Sequence, residues 1–481
     1  MVDDTSSTDP CPGFYFVSKW LICLNVSGNT ALHDSAESGS LDIMKLLLQH
    51  GAVMDTDSYG MTPLMAAAVA GFKNIIDYLV SLPICNRIDY VNALELLGAT
   101  YVDKKRDSLA AIRVWRRALE ERKRPGRPPL PKAIPSKLKP AYLNAVEVQD
   151  VEELEEMISD PDEMRMQALL IRERILGHTH PDTSYYIRYR GALYADLGNF
   201  ERCITLWMYA LEMQQSVLDP LAAMTMSSFL SFAELFAFML SESGNRLNSV
   251  QSKNQFATDI LSVMEHGLDE IMRFQELGEK ESKASGQESD RSVLNRMLMI
   301  LLHLMNLMTR LHVGSPAADK TQLQQRFKCL VYKLVRLDVR GHNGATLLHM
   351  ACVEDTTHIG RYPVCSFPAY SVVHLLLQVG ANPNARDDDG LAPLHVATKP
   401  GNTAFNFGIV KVLVLNGAHA DMCSADHVTP LDNLRKVGSF RRVCPVKNTT
   451  LKCLAARVIV HEKLPYKGIV GLDLENFVNM H

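Results

Sequence analysis

The sequence predicts an all-α solenoid assembled from two kinds of helical repeat. Three observations predict it. A glycine–threonine–leucine segment recurs near the start, the same segment recurs near the end, and a glycine–aromatic pattern lies between them. Self-similarity at a fixed period marks units that stack and cover one another's apolar faces.

The first copy reads GNTALHDSAESGSLDIMKLLLQHGAVMDTDSY (Gly28–Tyr59), and GMTPLMAAAVAGFKNIIDYLV (Gly60–Val80) follows. Gly28 to Gly60 is one ankyrin period, and each unit opens Gly-x-Thr-x-Leu. Thr30 and Thr62 are placed to cap a first helix. Gly39 and Gly71 break each helix pair, and Gly51-Ala52 turns the chain to the next finger. Ile43, Leu46, Leu47 and Leu48 form an apolar stripe that a neighbouring repeat is expected to cover. Far downstream, GATLLHMAC (Gly344–Cys352) leads through an insertion to VVHLLLQVGANPNARDDD. GLAPLHVAT (Gly390–Thr398) leads to IVKVLVLNGAHADMCSADH, and VTPLDNL (Val428–Leu434) opens a partial closing unit. His349 and His395 occupy the Leu-His position of the motif and are expected to bond backbone between repeats, not to act as ligands or bases.

Between the arrays, GALYADLGNFERCITLWMYALEM (Gly191–Met213) follows tetratricopeptide logic. Gly191, Gly198 and Ala210 allow close helix crossings, and Tyr194, Phe200 and Trp207 fill the gaps. ELLGATYVDKKRDSLAAIRVWRRALEER (Glu95–Arg122) is a second copy, with Tyr101, Trp115 and Ala118 in comparable places. SSFLSFAELFAFML (Ser227–Leu240) and VLNRMLMILLHLMNLMTRL (Val293–Leu311) read as buried core helices. The domain boundaries that follow are an atypical N-terminal segment (1–27), a truncated ankyrin array (28–90) and a tetratricopeptide-like region (91–275). A polar linker (276–292), a helical bridge (293–340), a C-terminal ankyrin array (341–440) and a terminal helical segment (446–481) complete the chain.

Hydrophobic residues make up 47% of the chain and charged residues 22%, enough to build large cores. The formal charge of −4 and pI near 6.5 argue against nucleic acid as a main partner, because phosphate binding needs a concentrated basic surface. Ten cysteines with no C-x-x-C pair fit reduced, buried thiols in the cytoplasm, with the nucleus also open. FYFVSKWLICLNV (Phe14–Val26) is too short to span a bilayer and Lys19 interrupts it; no basic region precedes it, so neither a membrane anchor nor a signal peptide is expected. RKRPGRPPLPKAIPSKLKP (Arg122–Pro140) reads either as a solvated loop or as a ligand for an SH3-like domain.

The chain carries no Gly-rich phosphate loop, no Gly-x-Ser-x-Gly and no His-Glu-x-x-His. GHTHPD (Gly177–Asp182) brings two histidines onto a turn without a second ligand pair, so a helix connection is expected there. Asp387–Gly390 reads as a finger-tip turn, and Cys203, Cys352 and Cys453 as inert buried thiols. No catalytic residue, cofactor or metal site is therefore expected. The pattern is that of a non-enzymatic binding scaffold.

Longer irregular stretches go further. NALELLGATYVDKKRDSLAAIRVWRRALE, SDPDEMRMQALLIRERILGHTHPDTSYYIRYRGALYADLGNFERCITLWMYAL, GRYPVCSFP and the closing LKCLAARVIV closely resemble the fem-one homologue (feminization protein) family, from about Gly28 to the C terminus. The resemblance implies a substrate receptor of a cullin-two RING ubiquitin ligase that recognises C-terminal degrons, notably those ending in or near arginine. It implies elongin B–elongin C, cullin-two with its RING subunit, and degron-bearing client proteins as partners, with a homodimer left open. The family's elongin-binding box places a Leu, a small residue and an aliphatic residue at intervals of four, hence on one helical face. Leu451, Ala455 and Ile459 supply that spacing here, with Thr450 as cap. The cullin-contacting pattern maps onto Val470, Leu474 and Phe477, with Gly471 where the family carries Pro and a Leu464-Pro465 pair in another register. Family ankyrin repeats that precede Gly28 are expected to be missing, and with them much of the degron pocket. Glu37 maps onto a pocket position, and Ser27 and Tyr59 onto neighbouring ones. Two alternatives stay open: a scaffold with no ligase link, and a truncated form that binds elongin and competes with full-length receptors.

Overall fold

The structure is a computed structural model that describes residues 28–83, 85–132, 137–242, 250–280, 287–311, 318–399, 406–436 and 450–480. Among them there is no strand; the chain is an all-α repeat protein. It forms two compact units, residues 1–218 and 219–481.

In the first unit, α1 (Ala31–Glu37) and α2 (Leu41–Gln49) make one ankyrin finger, and α3 (Pro63–Ala70) and α4 (Lys73–Val80) the next. The core between them is Leu32, Ala36, Met44, Leu64, Ala67, Ala68, Ile75, Ile76 and Leu79. The α2 stripe divides differently from expectation. Met44 is its fully buried anchor and Leu47 and Leu48 pack against the core, while Ile43 and Leu46 are each 54% exposed. No described repeat covers those two side chains.

Buried histidines join one finger to the next. His33 Nε2 lies 2.9 Å from the carbonyl of Met61. Its Nδ1 accepts the Thr30 amide at 3.2 Å. In the second unit His349 repeats this arrangement with Leu391 and Thr346, and His395 with Met422 and Ala392. An accepting Nδ1 fixes the neutral tautomer, so Nε2–H donates across the repeat boundary. His349 and His395 thus have the structural role expected of them, and His33 shares it. The finger tips are equally alike. One carboxylate oxygen of Asp57 accepts the amides of Tyr59 and Met61, as Asp387 does those of Asp389 and Leu391.

Next come α5 (Arg87–Thr100), which runs into a wide turn at Tyr101–Lys105, and α6 (Ser108–Arg122). They are followed by α7 (Val151–Glu156), α8 (Pro161–Leu176), α9 (Pro181–Asp196) and α10 (Phe200–Val217). The two tetratricopeptide-like pairs, α5–α6 and α9–α10, share one locking contact. Trp115 donates its indole N–H to the Glu95 carbonyl at 2.9 Å, and Trp207 does the same to Arg188 at 2.8 Å. Each indole lies against a glycine of the partner helix. A Cβ on Gly98 would stand 2.2 Å from Trp115, and one on Gly191 2.4 Å from Trp207.

The Pro-rich segment after α6 is a largely exposed loop where described, as expected, but it is pinned to the unit at a few points. Arg87 and Arg122 donate to the carbonyls of Pro128 and Leu130. Lys132 is buried beside Glu95 and Glu147, and Lys139 pairs with Glu173. The cause is the buried carboxylate of Glu95. Burial alone would raise its pKa, but a bidentate Arg122 together with Arg174 and Lys132 holds it below the usual carboxylate range. A carboxylate in that position requires its cations, and the segment supplies one of them.

The second unit begins with α11 (Ala223–Ser241), α12 (Val250–Lys280), α13 (Gln287–Arg310) and α14 (Ala318–Arg336). The stretch 91–275, read as one region, is therefore shared between the units. Helices α11 and α12 pack on α13, with Phe229, Phe232, Phe236 and Phe256 buried. The 276–292 linker is largely helical where described, since α12 runs to Lys280 and α13 starts at Gln287. Two helical stretches, Ala223–Ser241 and Arg291–Arg310, are long and apolar enough to cross a membrane. Both pack here as core helices, and Met297, Leu298, Ile300, Leu301, Leu304 and Met305 are buried. Ankyrin fingers follow: α15 (Leu347–Ala351) with α16 (Tyr370–Gln378), then α17 (Pro393–Ala397) with α18 (Phe407–Leu415), then the single α19 (Pro430–Lys436). The insertion between α15 and α16 folds back, so that Phe367 meets His303 of α13 edge-on at 5.0 Å. The chain ends in α20 (Leu451–His461) and α21 (Leu472–Asn479).

Two predictions follow from this packing. Gly191→Ala drives a methyl into Trp207 and should cost about 1–3 kcal/mol, the range for overpacking a filled core; urea unfolding should show a lower midpoint. Burial pushes His349 and His303 down to about 4. An unfolded histidine takes up its proton near pH 6.5, so between the two values the unfolded chain binds more protons. Stability should be complete above that window and fall through it on acidification, by up to about 3 kcal/mol per histidine. Thermal unfolding across the window checks this; a flat profile would contradict it.

Candidate functional site

Helix α20 has two apolar faces. Thr450 caps it by accepting the Cys453 amide at 3.2 Å. Cys453 and Ala456 are buried and form the inner face. On the opposite face lie Leu451, Leu454, Ala455 and Val458, at i, i+3, i+4 and i+7, with Ile459 half-buried at i+8. Leu451 is 84% exposed, Leu454 47% and Val458 55%. Leu464, Ile469, Leu472 and Leu474, which follow in the chain, are exposed as well. The sequence-predicted Leu451, Ala455 and Ile459 share the outer face of α20. The expectation missed Leu454 and Val458, which the same helical periodicity would have supplied.

The helix pair is braced from behind. The carbonyl of Met480, just past α21, accepts the Cys423 amide and the Arg386 guanidinium, at 3.3 and 3.0 Å. A cation there complements the negative end of the helix. Tyr466 donates to Asn479 at 2.6 Å. The three residues mapped to cullin contact are placed unequally. Leu474 is exposed and Val470 half-buried. Phe477 is engaged within the chain, edge-on to His419 at 5.4 Å and under the Lys452 ammonium at 4.1 Å. Gly471 caps α21 with φ −63° and ψ 153°. That φ is one proline adopts, so the departure from the Pro-containing pattern leaves this backbone torsion compatible with proline.

The first unit offers a second candidate surface. Glu37 stands exposed at the end of α1, with the Asn29 amide at 3.4 Å. Burial, then the charge of Asp34, with smaller contributions from Asp182 and Asp57, pushes its pKa above the usual carboxylate range. The same neighbourhood holds Tyr59, 41% exposed and edge-on to His180 at 5.2 Å. Ser27 lies outside the described residues. Glu37 and Tyr59 are thus brought to one acidic face with Asp34, Asp57 and Asp182. These three were not anticipated, because they come from α1, a finger tip and the start of α9. In GHTHPD, His180 is buried and its Nδ1 accepts the Asp182 amide, while His178 pairs with Glu173 at 2.6 Å. Both are absorbed by a helix connection.

The ankyrin-repeat family matches residues 14–90 as three copies, and a further ankyrin repeat matches residues 343–388. Protein fem-1 homolog A of Bos taurus is 45% identical over 494 residues, covering 95% of this chain and 73% of that protein. Protein fem-1 homolog A of Homo sapiens is 44% identical over 510 residues, with the same coverage. Protein fem-1 homolog C of Mus musculus is 47% identical over 442 residues, covering 92% of this chain and 68% of that protein. The chain belongs to the fem-1 homolog family. As a fem-1 family member it is an ankyrin-repeat protein.

The fem-1 family chain should separate stability from contact along α20. Leu451→Asp should leave the melting temperature unchanged, since the side chain is exposed. Ala456→Leu, on the buried face, should cost about 1–3 kcal/mol by overpacking. Differential scanning fluorimetry of the two variants checks this, and a large loss at Leu451 would contradict it.

Proposed function

We propose that this protein is the substrate-recognition subunit of a cullin-RING ubiquitin ligase. The observation that carries the reading is the Leu451–Leu454–Ala455–Val458 face of α20, apolar and turned to solvent although the helix already has a buried face. Such a face fits a helix-in-groove partner. In this reading elongin C of elongin B–elongin C receives Leu451 as anchor, with Ala455 allowing close approach and Ile459 at the edge. Cullin-two with its RING subunit docks beside it along Val470 and Leu474, and Phe477 holds α21 in position for that contact. The acidic face around Glu37 receives a basic client C terminus, because a carboxylate pairs with a guanidinium in bidentate geometry. The chain performs no bond chemistry; it raises the local concentration of client beside the ubiquitin-loading machinery, and degradation follows.

Co-expression with elongin B–elongin C tests the core of the proposal. Wild-type chain should co-purify as a stable complex and Leu451→Asp should not, at equal melting temperature. Failure of the wild-type chain to capture elongin C would remove the ligase reading and leave a scaffold. Fluorescence anisotropy with peptides ending in arginine tests the client face. Glu37→Gln should weaken binding by about tenfold, as for loss of one charge-assisted pair worth roughly 1.5 kcal/mol. No binding by wild type, together with elongin capture, would instead support a form that competes with complete receptors.

A further inference from the structure

Among the described residues, three side chains of metal-ligating type converge behind the C-terminal helix pair. His419 and Asp421 come from the loop after α18, and Cys453 from the first turn of α20. One ligand atom from each lies within 4.8 Å of the other two. Cys453 Sγ is 3.3 Å from His419 Nδ1. Asp421 and Cys453 are buried, with 1% and 0% of their surface exposed, and His419 is half-buried. Two ligands of one tetrahedral ion, each about 2.0–2.3 Å from it, stand roughly 3–4 Å apart. The Sγ–Nδ1 separation already falls in that range.

We infer that His419, Asp421 and Cys453 form a site for a borderline-soft divalent cation of the zinc class. The donor set selects the ion. A thiolate with an imidazole and one carboxylate suits zinc or cobalt, whereas calcium and magnesium take oxygen ligands. The imidazole is oriented from outside the site. Its ring meets Phe477 edge-on, and its backbone amide donates to Asn384 at 2.8 Å. With three protein ligands, the fourth position of a tetrahedral ion is open to water.

The consequence is mechanical. Cys453 belongs to the inner face of α20 and His419 to the ankyrin array, so an ion there ties that helix to the array. Through the His419–Phe477 contact, α21 packs on the same ligand. The inference does not depend on the partner proposed above for the outer face of α20.

The site is missed by sequence reasoning for a plain reason. The ligands are separated by one residue and then by more than thirty, with no paired motif, and only the return of α20 onto the array brings them together.

Cobalt and zinc titrations of the full-length chain, stripped of metal with a chelator, test the inference. Wild type should bind one Co²⁺ with a thiolate-to-cobalt charge-transfer band and d–d bands of tetrahedral intensity. Zinc should displace that ion and raise the melting temperature. Cys453→Ser should abolish the charge-transfer band and the zinc-dependent shift while matching metal-free wild type in melting temperature. His419→Gln should weaken binding by about tenfold or more. Two results would overturn the site: no cobalt spectrum in wild type, as for a thiol merely hydrogen-bonded to imidazole, or uptake that survives Cys453→Ser and His419→Gln unchanged.

Discussion

Among the described residues, three ankyrin fingers of this protein are each tied to the next by a buried imidazole, and the stacking of those fingers depends on that tie. His33, His349 and His395 each accept an amide at the start of their own helix and donate to a carbonyl of the following finger. A neutral ring with one donor and one acceptor satisfies two backbone groups that burial would otherwise leave unpaired. The fingers can then close their apolar faces without water between them. What remains uncovered, at Ile43 and Leu46 or along α20, stands out against these closed faces.

A different lock holds the tetratricopeptide-like pairs. Trp115 and Trp207 each fill the space left by a glycine and donate to a carbonyl three residues before it. In both pairs the indole occupies the space a side chain at that glycine would need. Around the first pair, the Glu95 cluster draws the Pro-rich segment down as a strap. Lys132 on Glu95 and Glu147, with Lys139 on Glu173, pins a stretch whose composition alone suggests freedom.

The two candidate surfaces differ in how far the sequence discloses them. The C-terminal face was legible from spacing, because positions four apart on a helix share a side whatever surrounds it. Spacing could not say which side faces solvent. Cys453 and Ala456 are the smaller side chains, and theirs is the face that is buried, with Cys453 Sγ 3.3 Å from His419 of the ankyrin array. Phe477 shows the same limit, since its place in a pattern marks it for contact while its packing on His419 and Lys452 keeps it within the chain. The acidic face was only partly legible. Glu37 and Tyr59 are found by alignment to a pattern, but Asp57 and Asp182 join them across the fold.

Taken by itself, the sequence determined the class of fold, the ankyrin period, the tetratricopeptide-like pairs, the bridging role of His349 and His395, and the shared side of Leu451, Ala455 and Ile459. These are local matters, since periodicity and capping act within a turn or two of the chain. The tertiary structure decided which apolar face of α20 is spent on the array and which is offered. It also decided where the Pro-rich strap lies, which carboxylates gather around Glu37, and that His419, Asp421 and Cys453 meet. Those outcomes depend on burial and on approach between residues far apart in the chain, and no local pattern carries them.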